Sequence, residues 1–249
     1  MKNMNIKEKK NEIRRKIWLL MDERGISRFP KPVYGRIPNF IGSEKAAWKL
    51  ASLDEFKQAR IVKVNPDSPQ KMVRYLTLSA GKILLMPTPR LKSGFLILDP
   101  KRIPKHAYSE AASIRGAFKY GRRCNVWELP HVDLLVTGSV AVSRDGVRLG
   151  KGGGYSEIEY GILCEVNAVD ESTPIFTTVH DVQIVDELPR EPHDLVVDAI
   201  ITPTKILRVK RRHKLPKGIM WENLSADKIK EMPILAELKM LKQTKGLLT

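Results

Sequence analysis

Cysteine is nearly absent: Cys124 and Cys164 are the only two in 249 residues. Two thiols build neither a disulfide framework nor, by themselves, a four-ligand zinc site. The five histidines, His106, His131, His180, His193 and His213, show no H-x-x-x-H spacing, and no C-x-x-C pair occurs, which removes the common zinc signatures. No Ser-His-Asp or Cys-His nucleophile arrangement is evident either. No run of about 18 apolar residues is present to span a bilayer. Residues 1–15 lack the apolar core of a signal peptide; they are polar and basic and read as a cytoplasmic start. Acid is also scarce, with 28 Asp+Glu against 44 Lys+Arg and a formal charge of +16. Such a surplus fits nucleic acid, nucleotide phosphates or a small polyanion, and equally a lysine-rich solvated surface. At 42% hydrophobic residues the chain is too apolar to be disordered, and its length suffices for a core without staples. Secreted, membrane-spanning and collagen-like classes are excluded.

The periodicity then predicts an amphipathic helix over Glu8 to Glu23, with Ile13, Ile17, Leu20 and Met21 on one face and Gly25 as its stop. The segment from Phe29 to Pro38 is dense in Pro and Gly and reads as a connection. A second helix is expected from Ser43, as its N-cap, through Leu50. A short turn or helix follows over Asp54 to Ala59. Ile61 to Val64 reads as a strand, Asn65 to Pro69 as a turn, and Lys71 to Ser79 as a helix. Lys82 to Met86 and Phe95 to Leu98 are compact apolar runs of the buried-strand type. The longest strand signal is Leu134 to Val142, and Ser156 to Glu165 reads as a helix. Thr173 to Val179, Val182 to Val185 and Val196 to Thr202 complete the strands. Strands alternating with helices predict a three-layer α/β/α architecture with a mostly parallel sheet. The expected organisation is one domain over 1–249, with a basic segment at 205–217 and a C-terminal helix at 225–242 as appendages.

The most informative segment is Arg148-Leu149-Gly150-Lys151-Gly152-Gly153-Gly154-Tyr155, which follows a strand and leads into a helix. Its glycines permit positive φ and close approach, so successive amides can converge on an anion at the positive end of the following helix. Arg148 and Lys151 add charge at the same place. The spacing matches neither G-x-x-x-x-G-K-[ST] nor G-x-G-x-x-G. The competing reading is a flexible glycine-rich turn.

That loop, Lys10-x-x-x-Arg14 on the first helix, and His193-Asp194 before a strand ending in Thr202 resemble the 5-formyltetrahydrofolate cyclo-ligase (methenyltetrahydrofolate synthetase) family. The stretches Gly35 to Phe40, Val64 to Asp67, Met86 to Leu91, Gly138 to Val142 and Gly218 to Trp221 look like its methenyltetrahydrofolate-synthase-domain-containing branch. The resemblance implies a NagB/RpiA/CoA-transferase-like fold. It also implies an ATP- and Mg²⁺-dependent ligase of one-carbon metabolism, converting 5-formyltetrahydrofolate or a related formylated reduced pterin to the 5,10-methenyl form. By position, Lys10, Arg14, Arg148, Gly150, Lys151, Gly152, Gly153, Gly154 and Tyr155 would bind the nucleotide. Arg148 and Lys151 would be the catalytic cations, and Glu157 and Asp194 the metal carboxylates, with Asp198 in reserve. Without the resemblance, Lys10 and Arg14 read as a solvated basic face, Glu157 as dipole compensation and Asp194 as a turn residue. The family loop typically reads G-[RK]-G-K-G-Y-Y-D; here Gly153, Ser156 and Glu157 stand where it has lysine, a second aromatic and aspartate.

Two further expectations follow from local pattern. His180, at a strand end, is a candidate pocket residue. Between 205 and 217, Lys205, Arg208, Lys210, Arg211, Arg212, Lys214 and Lys217 occur without a carboxylate. That is a footprint for nonspecific RNA contact and the basis of an alternative reading: a catalytically weakened nucleotide- or RNA-binding protein on the same scaffold. No aromatic platform for specific RNA readout is present.

Overall fold

The computed structural model describes residues 5–244; residues 1–4 of the polar start and 245–249 of the expected domain lie outside the described residues. Asn5 opens the first helix, α1 (Ile6–Glu23): its side chain accepts the Glu8 amide while Glu8 accepts the Asn5 amide, a reciprocal cap. The proline-rich connection is closed by an antiparallel pair, β1 (Ser27–Arg28) with β2 (Asn39–Phe40). The helices α2 (Ser43–Ala51) and α3 (Asp54–Gln58) follow. Gly42, with φ 89°, caps α2, so Ser43 is its first helical residue and not the expected cap. Pro203 packs where a Gly42 side chain would stand.

Next come β3 (Ile61–Val64), α4 (Lys71–Ser79) and β4 (Ile83–Pro87), a strand–helix–strand unit whose two strands run parallel. The chain turns back through β5 (Phe95–Leu98), then passes α5 (Tyr108–Ala111) and α6 (Ile114–Tyr120) into β6 (Arg122–Cys124). From β7 (Leu134–Thr137) it leaves the main sheet for β8 (Ala141–Ser143) and β9 (Arg148–Leu149), then enters α7 (Tyr155–Glu165). The single strand expected from Leu134 to Val142 is therefore two, broken at Gly138. A Cβ there would lie 2.7 Å from both Gln70 Oε1 and Ile37 Cγ2, so the chain bends where only glycine fits. The remaining elements are β10 (Ile175–Thr178), β11 (Ile184–Val185), β12 (Ala199–Ile201), β13 (Ile206–Arg208), α8 (Ala226–Lys230) and α9 (Pro233–Thr244). The helix expected over 225–242 is two, because Pro233 has no amide to continue α8. The expected strand at Val182 to Val185 shrinks to β11, its first half being a single helical turn.

The main sheet runs β13-β12-β10-β7-β3-β4-β5-β6. Its middle, β12 through β4, is parallel, and the strands at both edges are antiparallel. Alternate residues serve opposite faces, as the pleat requires. Val62, Leu84, Leu134, Val136, Phe176 and Ile201 pack under α1, α2 and α4. Leu85, Leu135, Ile175 and Ile200 pack with Ile158, Ile162 and Leu163 of α7 and with Ile234, Leu235 and Leu238 of α9. Helices on both faces of a mostly parallel sheet make this the three-layer α/β/α architecture. The second, small sheet, β11-β8-β9, carries the glycine loop away from β7.

Candidate functional site

A cleft of about 360 Å³ opens at the carboxyl ends of the central strands. Its walls come from Asn65 to Ser68 after β3, Thr88 to Arg90 after β4, Arg36 and Ile37 from the proline-rich connection, and the glycine loop leading into α7. Ligands of parallel sheets collect at this edge because the strand ends point the loops and helix amides the same way. Gly152 and Gly154 hold φ of 100° and 68°, left-handed values that turn the loop onto the first turn of α7. Gly154 caps that helix without a side chain, so no side chain takes up the first amides of α7.

Buried charge fixes the loop. Arg148, 3% exposed, donates from Nε to the Gly138 carbonyl at 2.8 Å, from NH1 to Glu157 Oε1 at 2.6 Å and from NH2 to Ser156 Oγ at 3.0 Å. It thereby ties the end of β7, the start of the loop and the first turn of α7 together, and it still lines the cleft. Lys151 reaches across the cleft to Asp67 at 3.2 Å from a half-exposed position. Arg14 is buried under the loop, donating from Nε to the Gly150 carbonyl at 2.7 Å and lying against Gly152. Burial pulls its guanidinium below the ordinary value, opposed by the carboxylates of Asp194 and Glu157. The spacing of four on α1 does put Lys10 beside Arg14, both turned inward and not solvated. Lys10 Nζ donates to Asp194 and Glu191, both at 2.6 Å.

The two expected metal carboxylates differ in availability. Glu157 lines the cleft, and its Oε2 has no partner among the described residues. Asp194 Oδ2 accepts both Lys10 and the Glu191 amide, and its carboxylate groups with Glu191 and His193, whose ligand atoms all lie within 4.8 Å of one another. Asp198, the reserve candidate, stands at the opposite, amino end of β12, where it accepts the Ile175 amide and pairs with Arg211. His180 does sit at a strand end but not among the cleft's lining residues. Its Nδ1 accepts the Val182 amide, its ring meets Phe40 at 6.0 Å, and burial lowers its pKa.

Three features escaped sequence reading. Lys63 in β3 and Glu159 in α7, 2% and 3% exposed, form an ion pair through the cleft floor. Lys63 also donates to Asn65, whose amide donates to Ser156, so the pair joins the Arg148 network. Burial pushes the Glu159 carboxyl up despite that partner. A lysine in an otherwise apolar strand was the available signal. Secondly, Arg90 and Leu91 hold φ of 58° and 56°, and Arg90 is exposed on the cleft. Left-handed non-glycine residues cost roughly 1–3 kcal/mol each and gather at functional loops. Thirdly, Lys228 of α8 donates to the Gly153 carbonyl.

Three of the seven cations of the basic segment are engaged within the fold, while Lys210, Arg212, Lys214 and Lys217 are exposed and have no ion-pair partner among the described residues. It begins as β13 and not as a loop; Arg208 pairs with Glu55, Arg211 with Asp198, and Lys205 lies 3.8 Å from Asp181.

The Lys10 contact gives a pH prediction. Its hydrogen bond holds the Glu191 carboxyl below the ordinary 4.5. A depressed carboxylate pKa contributes stability that is complete above the ordinary value and is lost as pH falls through the lowered one. The amides of α1 are expected to lose hydrogen-exchange protection, relative to the sheet, below about pH 4. Lys10→Met abolishes that differential; unchanged acid behaviour in the variant contradicts the assignment.

Fold and site together define an α/β protein with a glycine-rich, cation-lined cleft at the carboxyl edge of a parallel sheet. The chain belongs to the 5-formyltetrahydrofolate cyclo-ligase family, whose model matches residues 6–203. The methenyltetrahydrofolate synthase domain-containing protein of Bos taurus is 42% identical over 241 residues, covering 95% of this chain and 63% of that protein. Its Danio rerio counterpart is 40% identical over 98% of this chain and 65% of its own length. This chain thus spans somewhat under two thirds of these relatives. The 5-formyltetrahydrofolate cyclo-ligase of Escherichia coli is 35% identical over 82 residues, 33% of this chain and 42% of its own. In fold, the chain is similar to the 5,10-methenyltetrahydrofolate synthetase of Aquifex aeolicus (TM-score 0.52, 21% identity, 83% of this chain and 96% of that one). No helix among the described residues is long and apolar enough to cross a membrane.

Proposed function

We propose that this chain, acting as one domain, closes the ring of 5-formyltetrahydrofolate or a closely related formylated pterin at the expense of ATP, giving the 5,10-methenyl form, ADP and phosphate. The observation that carries this reading is the meeting of an uncapped helix N-terminus, a glycine loop and four cations, Arg36, Arg90, Arg148 and Lys151, on one cleft at the carboxyl edge. An N-formyl oxygen is a poor leaving group. Taking up the terminal phosphoryl group of ATP releases ADP and makes the oxygen leave as phosphate when the neighbouring nitrogen attacks the formyl carbon. Such chemistry asks for positioning and fixed positive charge more than for a reactive side chain.

In this assignment the amides at the start of α7 and Lys151 hold the terminal phosphate, and Arg148 fixes the loop while offering its remaining N–H donors. Arg14 and Lys10 hold the loop from below, and Tyr155 and Gly150 to Gly154 shape its surface. Mg²⁺, a hard cation that takes oxygen ligands, would be held through Glu157 and the phosphates, where it would neutralise their charge. Asp194 serves as the counter-charge of Lys10. The free thiols Cys124 and Cys164 suit a reducing compartment, and we assign the reaction to the cytoplasm.

The test is ADP release by the purified chain with MgATP, with and without 5-formyltetrahydrofolate, alongside methenyl formation by absorbance. ADP is expected only when the folate is present. Lys151→Ala is expected to lower turnover about tenfold or more, because it removes charge at the transferring phosphate without disturbing a buried contact. ATP turnover indifferent to every reduced pterin tried refutes the proposal.

A further inference from the structure

The glycine loop carries no side chain at position 153, and as folded it has no room for one. A Cβ built on Gly153 would lie 2.7 Å from Tyr155 Cδ2 and 2.8 Å from Cε2. Any side-chain charge at this point of the loop therefore comes from another element. Lys228 Nζ donates to the Gly153 carbonyl at 2.6 Å, lies 5.3 Å from the centroid of the Tyr155 ring, and would stand 3.3 Å from a Cβ on Gly154. Its helix, α8, follows the residues that the family model matches, so the cation comes from a part of the chain that the model does not cover.

A hollow of about 90 Å³ lies on the α8 side of the loop, lined by Ile158, His193, Ile219, Met220, Leu224 and Lys228 among others. It shares Gly154 and Glu157 with the main cleft, so one extended ligand can lie across the loop. An ammonium has three donors, and a single carbonyl uses one of them here. Lys228 has no ion-pair partner among the described residues, although Glu157 and Glu231 act on it at longer range. Partial burial lowers its pKa, because desolvation penalises the charged form.

We propose that Lys228 is a phosphate-binding residue of the nucleotide site, supplied by the C-terminal segment to a loop that is bare at position 153. Resting on the nucleotide reading above, this assignment adds to it a residue and an element.

The test is calorimetric titration of the full chain and of Lys228→Met and Lys228→Arg with MgATP, together with thermal unfolding of each. Lys228→Met is expected to weaken binding about 10- to 100-fold, the range for one charge-assisted hydrogen bond. Lys228→Arg retains affinity within about threefold, since the charge and a donor remain. Lys228→Met binding as tightly as the natural chain overturns the assignment. So does an equal loss in both variants accompanied by the same fall in melting temperature, which makes Lys228 a tether for α8 and nothing more. Failure of the unmodified chain to take up MgATP sinks the nucleotide reading itself and this inference with it.

Discussion

Arg148→Met is expected to lower the proposed cyclo-ligase turnover about 100-fold or more and to cost about 3–5 kcal/mol of stability. The size follows from where the guanidinium lies. It is 3% exposed and joins three segments: the Gly138 carbonyl at the end of β7, Ser156 and Glu157. Methionine fills similar volume but strands a mostly buried carboxylate at Glu157 and a carbonyl at Gly138. Arg148→Lys separates the two effects. A single ammonium keeps the charge but lacks the planar fork that reaches all three acceptors. It is therefore expected to regain part of the stability and little of the turnover. Steady-state kinetics and urea denaturation on both variants measure this. Arg148→Met with turnover near that of the natural chain removes Arg148 from the site.

The second large effect belongs to the buried pair beneath the cleft. Lys63→Met is expected to destabilise the protein by about 3–5 kcal/mol, because it leaves Glu159 charged, 3% exposed and without its partner. Lys63→Met/Glu159→Leu recovers most of that loss, since a well-packed apolar pair replaces an ion pair at little net cost. The penalty of the single variant has a pH dependence of definite sign. Burial already holds the Glu159 carboxyl above its ordinary value. A raised carboxyl contributes fully below the ordinary value and loses stability as pH rises through the folded one. The Lys63→Met penalty is thus smaller in acid, where Glu159 keeps its proton, and grows toward neutrality. Denaturation midpoints of the single and double variants at two pH values test this. A double variant no more stable than Lys63→Met contradicts the account.

Both predictions concern residues that the two levels of description weigh differently. Arg148 drew attention in the sequence as a loop cation for phosphate; in the fold it is first a clamp. Lys63 drew none, being one polar residue in a strand of Ile61, Val62 and Val64. Lys10 and Arg14 read locally as a solvated basic face, yet they are buried against Asp194, Glu191 and the Gly150 carbonyl.

By itself the sequence determined the central strands β3, β4, β5, β7, β10 and β12, the alternation of strands with helices, and the glycine loop before α7. Each of these rests on neighbours within a few residues, through apolar runs, turn residues and the freedom of glycine to take left-handed φ. Only the tertiary structure decided the electrostatics. Lys10 meets Asp194 across 184 residues, Lys63 meets Glu159 across 96, and Lys228 meets Gly153 across 75. Ion pairs and hydrogen bonds act over a few ångströms of space and carry no periodicity along the chain. Their partners are therefore fixed when the parallel sheet brings its carboxyl ends, α1 and the C-terminal segment to one edge.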